Sequence, residues 1–179
     1  MLIRGIASIS RWDGSTKVAR SDATFAGDII SDLRTKKNTL SVWYADSPES
    51  INDAVVAIAL GRTSVSKVVA LSLDEEDLDF MEIKMDCELG LAPGASEEIL
   101  KRHRNMLEID YKRLGLLSRY MLNLCRDKKK RIEKSEPEMV QLLYDYISNN
   151  RINIKKINSE LKKKLKEKLE KKIGKELGW

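Results

Sequence analysis

The first half of the chain alternates between short apolar runs, typical of strands, and stretches with helical periodicity. Three apolar runs predict strands, at residues 2–9, 39–45 and 67–73. A first helix is predicted between the first two strands from the spacing of Phe25, Ile29, Ile30 and Leu33. A second helix begins at Pro48, and because apolar residues surround most of its circumference we expect it to be buried.

Residues 81–88 alternate strictly between apolar and charged side chains, which predicts a fourth strand with one wet face. Such a strand is expected at an edge of the sheet or in antiparallel pairing. The helical crossovers allow parallel pairing among the first three strands. The fourth follows the third too closely for a helix, so we expect these two to pair antiparallel. The predicted fold is α/β or α+β, with a small mixed sheet of about four strands and two packed helices.

From Ser96 onward the period is helical, and Leu100, Leu107, Leu114 and Met121 repeat every seven residues. This spacing predicts one long amphipathic helix that ends near residue 128. His103 and Asp110 share its inward face, either as an acid/base or partner-reading pair or as buried polar residues that fix the helix register. Seven residues span about 10.5 Å of helix, too far for a direct hydrogen bond, which favours the register interpretation.

The last third of the chain predicts two further helices. The first begins at Ser135, where a serine followed three residues later by Glu138 forms a capping-box pattern. The second begins near Asn153 and carries apolar residues at intervals of four, at Ile157, Leu161, Leu165, Leu169, Ile173 and Leu177. A stripe at this interval drifts by roughly 40° per step, so it winds around the helix. We therefore expect its last turns to be partly exposed.

Residues 142–161 resemble the first two helices of a winged helix-turn-helix domain, in which an apolar helix ends in polar residues and a short connection leads to the next helix. The resemblance implies that residues 162–177 form the recognition helix. Lys162, Lys163, Lys166 and Lys168 would then contact phosphates or bases. Lys155 and Lys156 join them as candidate contacts for nucleic acid or another partner.

Charge divides the chain into unlike halves. Residues 1–95 hold 10 Lys/Arg against 15 Asp/Glu, whereas residues 96–179 hold 23 against 13. The expected organisation is an acidic α/β head over 1–95, the long helix over 96–131 and a basic helical tail over 132–179. This asymmetry indicates either a surface for a polyanion or acidic partner, or two halves that attract each other.

Catalytic chemistry has little support in the sequence. The common nucleotide, hydrolase and zinc motifs do not occur in it, and one histidine with two separated cysteines predicts neither a metal nor a cofactor. The acidic cluster at residues 74–79 lacks the ligand spacing of a calcium loop, which favours a solvated turn or a dock for the basic half.

Three functions follow from these patterns. The leading expectation is a non-catalytic interaction protein that docks a protein partner or self-associates through its helical half. The alternatives are a nucleic-acid-binding protein that uses the basic tail, and an enzyme with a site near His103 or residues 74–79. The sequence contains no apolar run long enough for a membrane span or a signal peptide, so we expect a cytoplasmic protein without a membrane partner.

Overall fold

The computed structural model describes residues 1–12, 29 and 31–173, which form six strands and six helices. The strands are β1 (Leu2–Ile6), β2 (Leu40–Tyr44), β3 (Val68–Leu73), β4 (Met85–Asp86), β5 (His103–Met106) and β6 (Arg131–Lys134). The helices are α1 (Pro48–Leu60), α2 (Glu75–Phe80), α3 (Glu97–Leu100), α4 (Tyr111–Arg126), α5 (Glu136–Ser148) and α6 (Ser159–Ile173). Of the first predicted helix, Phe25 and Ile30 lie outside the described residues.

The six strands form one sheet in the order β4-β5-β2-β1-β3-β6, and every pairing is antiparallel. The α/β fold class is confirmed, with more strands than expected. The predicted parallel pairing is wrong in detail, because β1 lies between β2 and β3 and runs opposite to both. The crossover helix α1 therefore still joins two strands of the same direction, but they are not neighbours.

Helices cover both faces of the sheet. On one face, Ile3, Val68 and Ala70 face a core shared with α1, α3, α5 and α6. On the other face, Leu2 and Leu71 contribute to a second core with α2 and α4. Successive strand residues alternate between the two cores, as the two-residue period of a strand requires. The molecule thus has three layers, with the sheet in the middle.

The single long helix predicted from residue 96 does not form. Its place is taken by the short helix α3, the strand β5 and the helix α4. β5 pairs along its whole length with β2, and Met106 is fully buried in the second core. The tertiary pairing with β2 therefore overrides the seven-residue spacing of apolar residues, which extends across three elements by coincidence.

Two edge strands differ from expectation. β4 is an antiparallel edge strand as predicted, but it comprises only Met85–Asp86 and pairs with β5 rather than with β3. At the opposite edge, β6 pairs with β3 and was not predicted. Its sequence has one apolar residue, Ile132, among charged residues, a pattern that predicts a polar connection rather than a strand. Pairing with β3 is what holds it in an extended conformation.

The C-terminal helices pack against the head. The capping box at α5 is confirmed, since the backbone N–H of Ser135 donates to Glu138 Oε2 at 2.7 Å. α6 begins at Ser159, later than expected. The exposed fractions of Leu161, Leu165 and Leu169 are 0%, 1% and 1%, so the expected exposure is wrong at Leu165 and Leu169. Leu177 and the side chain of Ile173 lie outside the described residues. Two steps of roughly 40° stay within the width of a buried helix face, which is about 100°.

Candidate functional site

The six lysines selected from the sequence lie in two places. Lys155 and Lys156 occupy the connection before α6, and the other four lie on α6 itself. Two of the six are in ion pairs, because Lys168 Nζ lies 2.5 Å from Glu136 and Lys166 Nζ lies 3.7 Å from Glu170. Lys155, Lys156 and Lys163 are exposed, whereas Lys162 is half-buried.

The exposed cations of this region form what we term the lysine face, comprising Lys155, Lys156, Lys163, Lys164 and Lys171. Lys164 and Lys171 were not selected from the sequence, although their positions opposite the apolar stripe could have identified them. Residues 151–173 contain ten Lys/Arg and three Glu. Glu160 and Glu167 lie among the lysines on the exposed side of α6, so the face is basic with two acidic interruptions.

Of the two helices that the winged helix-turn-helix resemblance implies over residues 142–161, the structure forms the first as the end of α5 but no separate second helix. Residues 142–161 contain the end of α5, a connection over 149–158 and the start of α6. The connection is hydrogen-bonded to the head, with the N–H of Asn153 donating to Gly94 O at 2.7 Å and the N–H of Ser96 donating to Arg151 O at 2.9 Å. The basic helix is therefore fixed on the α/β core and is not part of a separate small domain.

His103 and Asp110 do not form a pair on one helix face. His103 lies on β5, where its Nδ1 donates to the carbonyl oxygen of Glu88 at 3.0 Å and its ring meets the Trp43 ring edge-on at 5.1 Å. Asp110 is the exposed N-cap of α4, and the N–H of Arg113 donates to its carboxylate at 2.8 Å. This hydrogen bond, followed by the charge of Arg113, lowers the pKa of Asp110.

The acidic cluster at residues 74–79 forms the start of α2 and is partly neutralised by other parts of the chain. Asp74 contacts Lys130 Nζ at 2.5 Å, and Glu75 contacts the amino terminus at 3.3 Å. Within the described part of the chain, no three His, Cys, Asp or Glu side chains are grouped as metal ligands. The contact with Lys130 agrees with the expectation that the cluster docks part of the basic half.

A buried ionic network joins the head to the helical half. Asp53 on α1 is only 2% exposed, and it accepts hydrogen bonds from Tyr146 Oη at 2.8 Å and from the Arg151 guanidinium at 3.0 Å. Arg102 Nε lies 3.4 Å from the same carboxylate. Burial, and next the hydrogen bond to Asp53, raise the pKa of Tyr146. The sequence signal for this network is weak, namely the acidic residue Asp53 directly before the apolar run of α1.

A second polar site lies where β1 and β2 separate. Their ladder has only two pairs, Leu2 with Tyr44 and Ile3 with Trp43, whereas β1 and β3 share five. Beyond Ile3, the Arg4 guanidinium enters the gap and donates to the backbone oxygens of Ser41 at 2.7 Å and Asp32 at 2.5 Å. Arg4 Nε is buried and has no hydrogen-bond partner among the described residues.

A cleft of about 610 Å³ opens at this gap, beside the C-terminal end of α1. We call it the sheet cleft. Trp43 and His103 lie at its base, and Gly90 passes so close to both that a Cβ at this position would lie 2.5 Å from the Trp43 ring. Its lining includes cations from the segment before β2 and both acidic and apolar residues from β4 and the loop before α3, namely Arg34, Lys36, Lys37, Asp86, Glu88, Leu89 and Leu91.

Comparison with protein-family models, with curated proteins and with solved structures gives no match to this chain. Across the part of the chain that the structure describes, no helix combines the length and the apolar composition of a membrane span. The functional argument therefore begins from the geometry of the lysine face and the sheet cleft.

Proposed function

We propose that this protein is a non-catalytic nucleic-acid-binding protein that holds the phosphate backbone against its lysine face. One observation carries the proposal. The apolar stripe of α6 is buried in the chain's own core, so the surface that this helix offers to a partner is cationic. A cluster of exposed lysines on a packed helix and the connection before it suits a polyanion, because each phosphate that it neutralises releases condensed counterions.

The burial of the same stripe weakens the alternative of a protein partner docked through the helical half. Had the helical half projected from the head, a partner would have to cover Leu165 and Leu169, but both are buried within this chain. An enzyme site at residues 74–79 is also less favoured, because Asp74 and Glu75 already have cationic partners. The nucleic-acid proposal requires no such rearrangement of the packed chain.

The lysine face is tested by charge reversal, with Lys155→Glu, Lys156→Glu and Lys163→Glu combined in the full chain. Truncation before α5 is unsuitable, since it would remove Met139 and Leu143 from the core. The matched control combines Lys112→Glu, Arg119→Glu and Lys129→Glu. These three cations are also exposed and lie on or just after α4, on the opposite face of the sheet. Both variants change the net charge equally.

Fluorescence anisotropy of a labelled duplex and a labelled single strand, measured across a salt series, supplies the readout. We expect the native chain to bind with a log-linear salt dependence, with a slope of about −0.9 for each duplex phosphate neutralised. The lysine-face variant should lose about tenfold or more in affinity, whereas the control should lose much less. Equal losses in the two variants, or no binding by the native chain at low salt, would reject the proposal.

A further inference from the structure

The sheet cleft contains a half-buried cation, Arg4, whose hydrogen bonds are incomplete. Arg4 donates to two backbone carbonyls, and its Nε is left without a partner in the described residues. Burial lowers the pKa of its guanidinium, which the nearby Asp32 offsets only in part. Asp32 itself is committed to the indole N–H of Trp12 at 2.9 Å and to the N–H of Ala7 at 3.0 Å. An anion placed beside Arg4 would therefore be stabilised.

More cations lie along the same side of the cleft. Arg34, Lys36 and Lys37 are exposed and line it, and none of the three has an ion pair among the described residues. Lys37 and Asn38 both have positive φ, at 54° and 58°, and the backbone groups of Lys36 and Thr39 bond to each other in both directions. This is the geometry of a tight hairpin turn, which fixes the position of the two lysines.

The rest of the cleft lining is partly apolar and partly polar. Leu89 and Leu91 are apolar lining residues, and Leu91 is 95% exposed. At the base, the Asn105 amide donates to Glu88 Oε2 at 2.6 Å, which leaves the amide oxygen of Asn105 able to accept a further hydrogen bond. A ligand with an anionic end and a flat, partly apolar body with hydrogen-bonding atoms would match this arrangement.

We infer that the sheet cleft binds a mononucleotide-like ligand, with its phosphate against Arg4, Lys36 and Lys37 and its ring between Leu91 and the Asn105 side of the cleft. The volume of about 610 Å³ lies within the range of small-molecule sites, about 300–1,000 Å³. The inference goes beyond the proposed function, since the cleft and the lysine face have no residue in common.

Isothermal titration calorimetry with AMP, ATP and inorganic phosphate as probes tests the inference on the full chain. The hairpin variant combines Lys36→Gln with Lys37→Asn, because asparagine tolerates the positive φ that position 37 requires. The matched control combines Lys128→Gln with Lys129→Gln, two adjacent exposed lysines that belong neither to the sheet cleft nor to the lysine face. A thermal melt of each variant verifies that both retain the fold.

We expect saturable binding of AMP and ATP, with affinity reduced about tenfold or more in the hairpin variant and unchanged in the control, since charge-assisted phosphate contacts are strong. Leu91→Gln should weaken AMP binding and leave phosphate binding unchanged. The inference is overturned if no nucleotide binds, if inorganic phosphate binds as tightly as AMP, or if the control loses as much as the hairpin variant. The affinity of the same variants for a labelled duplex tests the proposed function separately, because the sheet cleft and the lysine face have no residue in common.

Discussion

Asp53 is a buried carboxylate and Arg4 a half-buried guanidinium, and the structure treats the two charges differently. Asp53 receives hydrogen bonds from Tyr146 and Arg151 and has Arg102 nearby, so its charge is compensated by groups from two other segments of the chain. The Arg4 guanidinium donates hydrogen bonds only to backbone carbonyls, with the Asp32 carboxylate nearby, and its Nε has no partner in the described residues. A buried charge that is compensated as Asp53 is needs no bound ligand.

The difference indicates which polar sites serve the fold and which are available for binding. The Asp53 network ties α1 to α5 and to the connection before α6, so it holds the basic half on the head. The Arg4 site lies where the sheet ladder between β1 and β2 stops after two pairs. The Asp32 carboxylate is nearby, but among the described residues no carboxylate hydrogen-bonds to the Arg4 guanidinium. The desolvation of the guanidinium is therefore offset only in part without a bound anion.

Removal of the Asp53 carboxylate should have the largest effect on stability. Asp53→Ala leaves the hydroxyl of Tyr146 and the guanidinium of Arg151 without their acceptor, and breaking a buried ion pair costs about 3 kcal/mol or more. Urea denaturation at neutral pH measures this loss. Glu49→Ala is the matched control. Glu49 pairs with the same Arg151 but is 76% exposed, so we expect a loss below about 1 kcal/mol. Equal losses would contradict the difference between buried and exposed partners.

Removal of the Arg4 guanidinium should reduce stability less than Asp53→Ala does, and it should also weaken ligand binding. Arg4→Met keeps the aliphatic stem but frees two backbone carbonyls, one of them exposed, for which we expect a loss of about 2 kcal/mol. AMP affinity should fall at the same time. Arg104→Met is the control, because Arg104 also donates to two backbone carbonyls but does not line the sheet cleft. The comparison fails if Arg4→Met unfolds the protein as strongly as Asp53→Ala.

Local sequence patterns predicted those elements whose signals are themselves local. Each of these signals, the apolar runs of β1, β2 and β3 and the capping box of α5, is contained within a few neighbouring residues. All four elements form as predicted. The prediction of one long helix after Ser96 was wrong because leucine spacing alone cannot distinguish one helix from a helix, a strand and a helix in succession. β6 was missed because only its pairing with β3 makes Arg131–Lys134 a strand.

The same reasoning explains what could be predicted of the sites. A run of lysines between evenly spaced leucines is visible in the sequence, and the exposed positions of α6 follow from its stripe. The sheet cleft combines Arg4, Lys36, Leu91 and His103, which are far apart along the chain. They meet because β1, β2 and β5 are adjacent in the sheet, an order that periodicity does not encode. Predicting the cleft would have required the strand order first.

The smallest effect that we predict lies at the periphery of the Asp53 network. Asp46 accepts a hydrogen bond from the Ser50 hydroxyl at 3.0 Å and pairs with Arg102 at 3.2 Å, and these contacts, the first being the stronger, hold its pKa below the ordinary 3.8. Ser50→Ala should raise this pKa more than Arg102→Gln does, as measured by NMR titration of the carboxyl carbon. Because the folded-state pKa is depressed, the stabilisation is fully present above about pH 4 and is lost as the pH falls through the folded-state value. The difference in unfolding free energy between the native chain and Ser50→Ala should therefore decrease at acidic pH. If this difference did not change with pH, the stabilisation by Ser50 would come from helix capping alone.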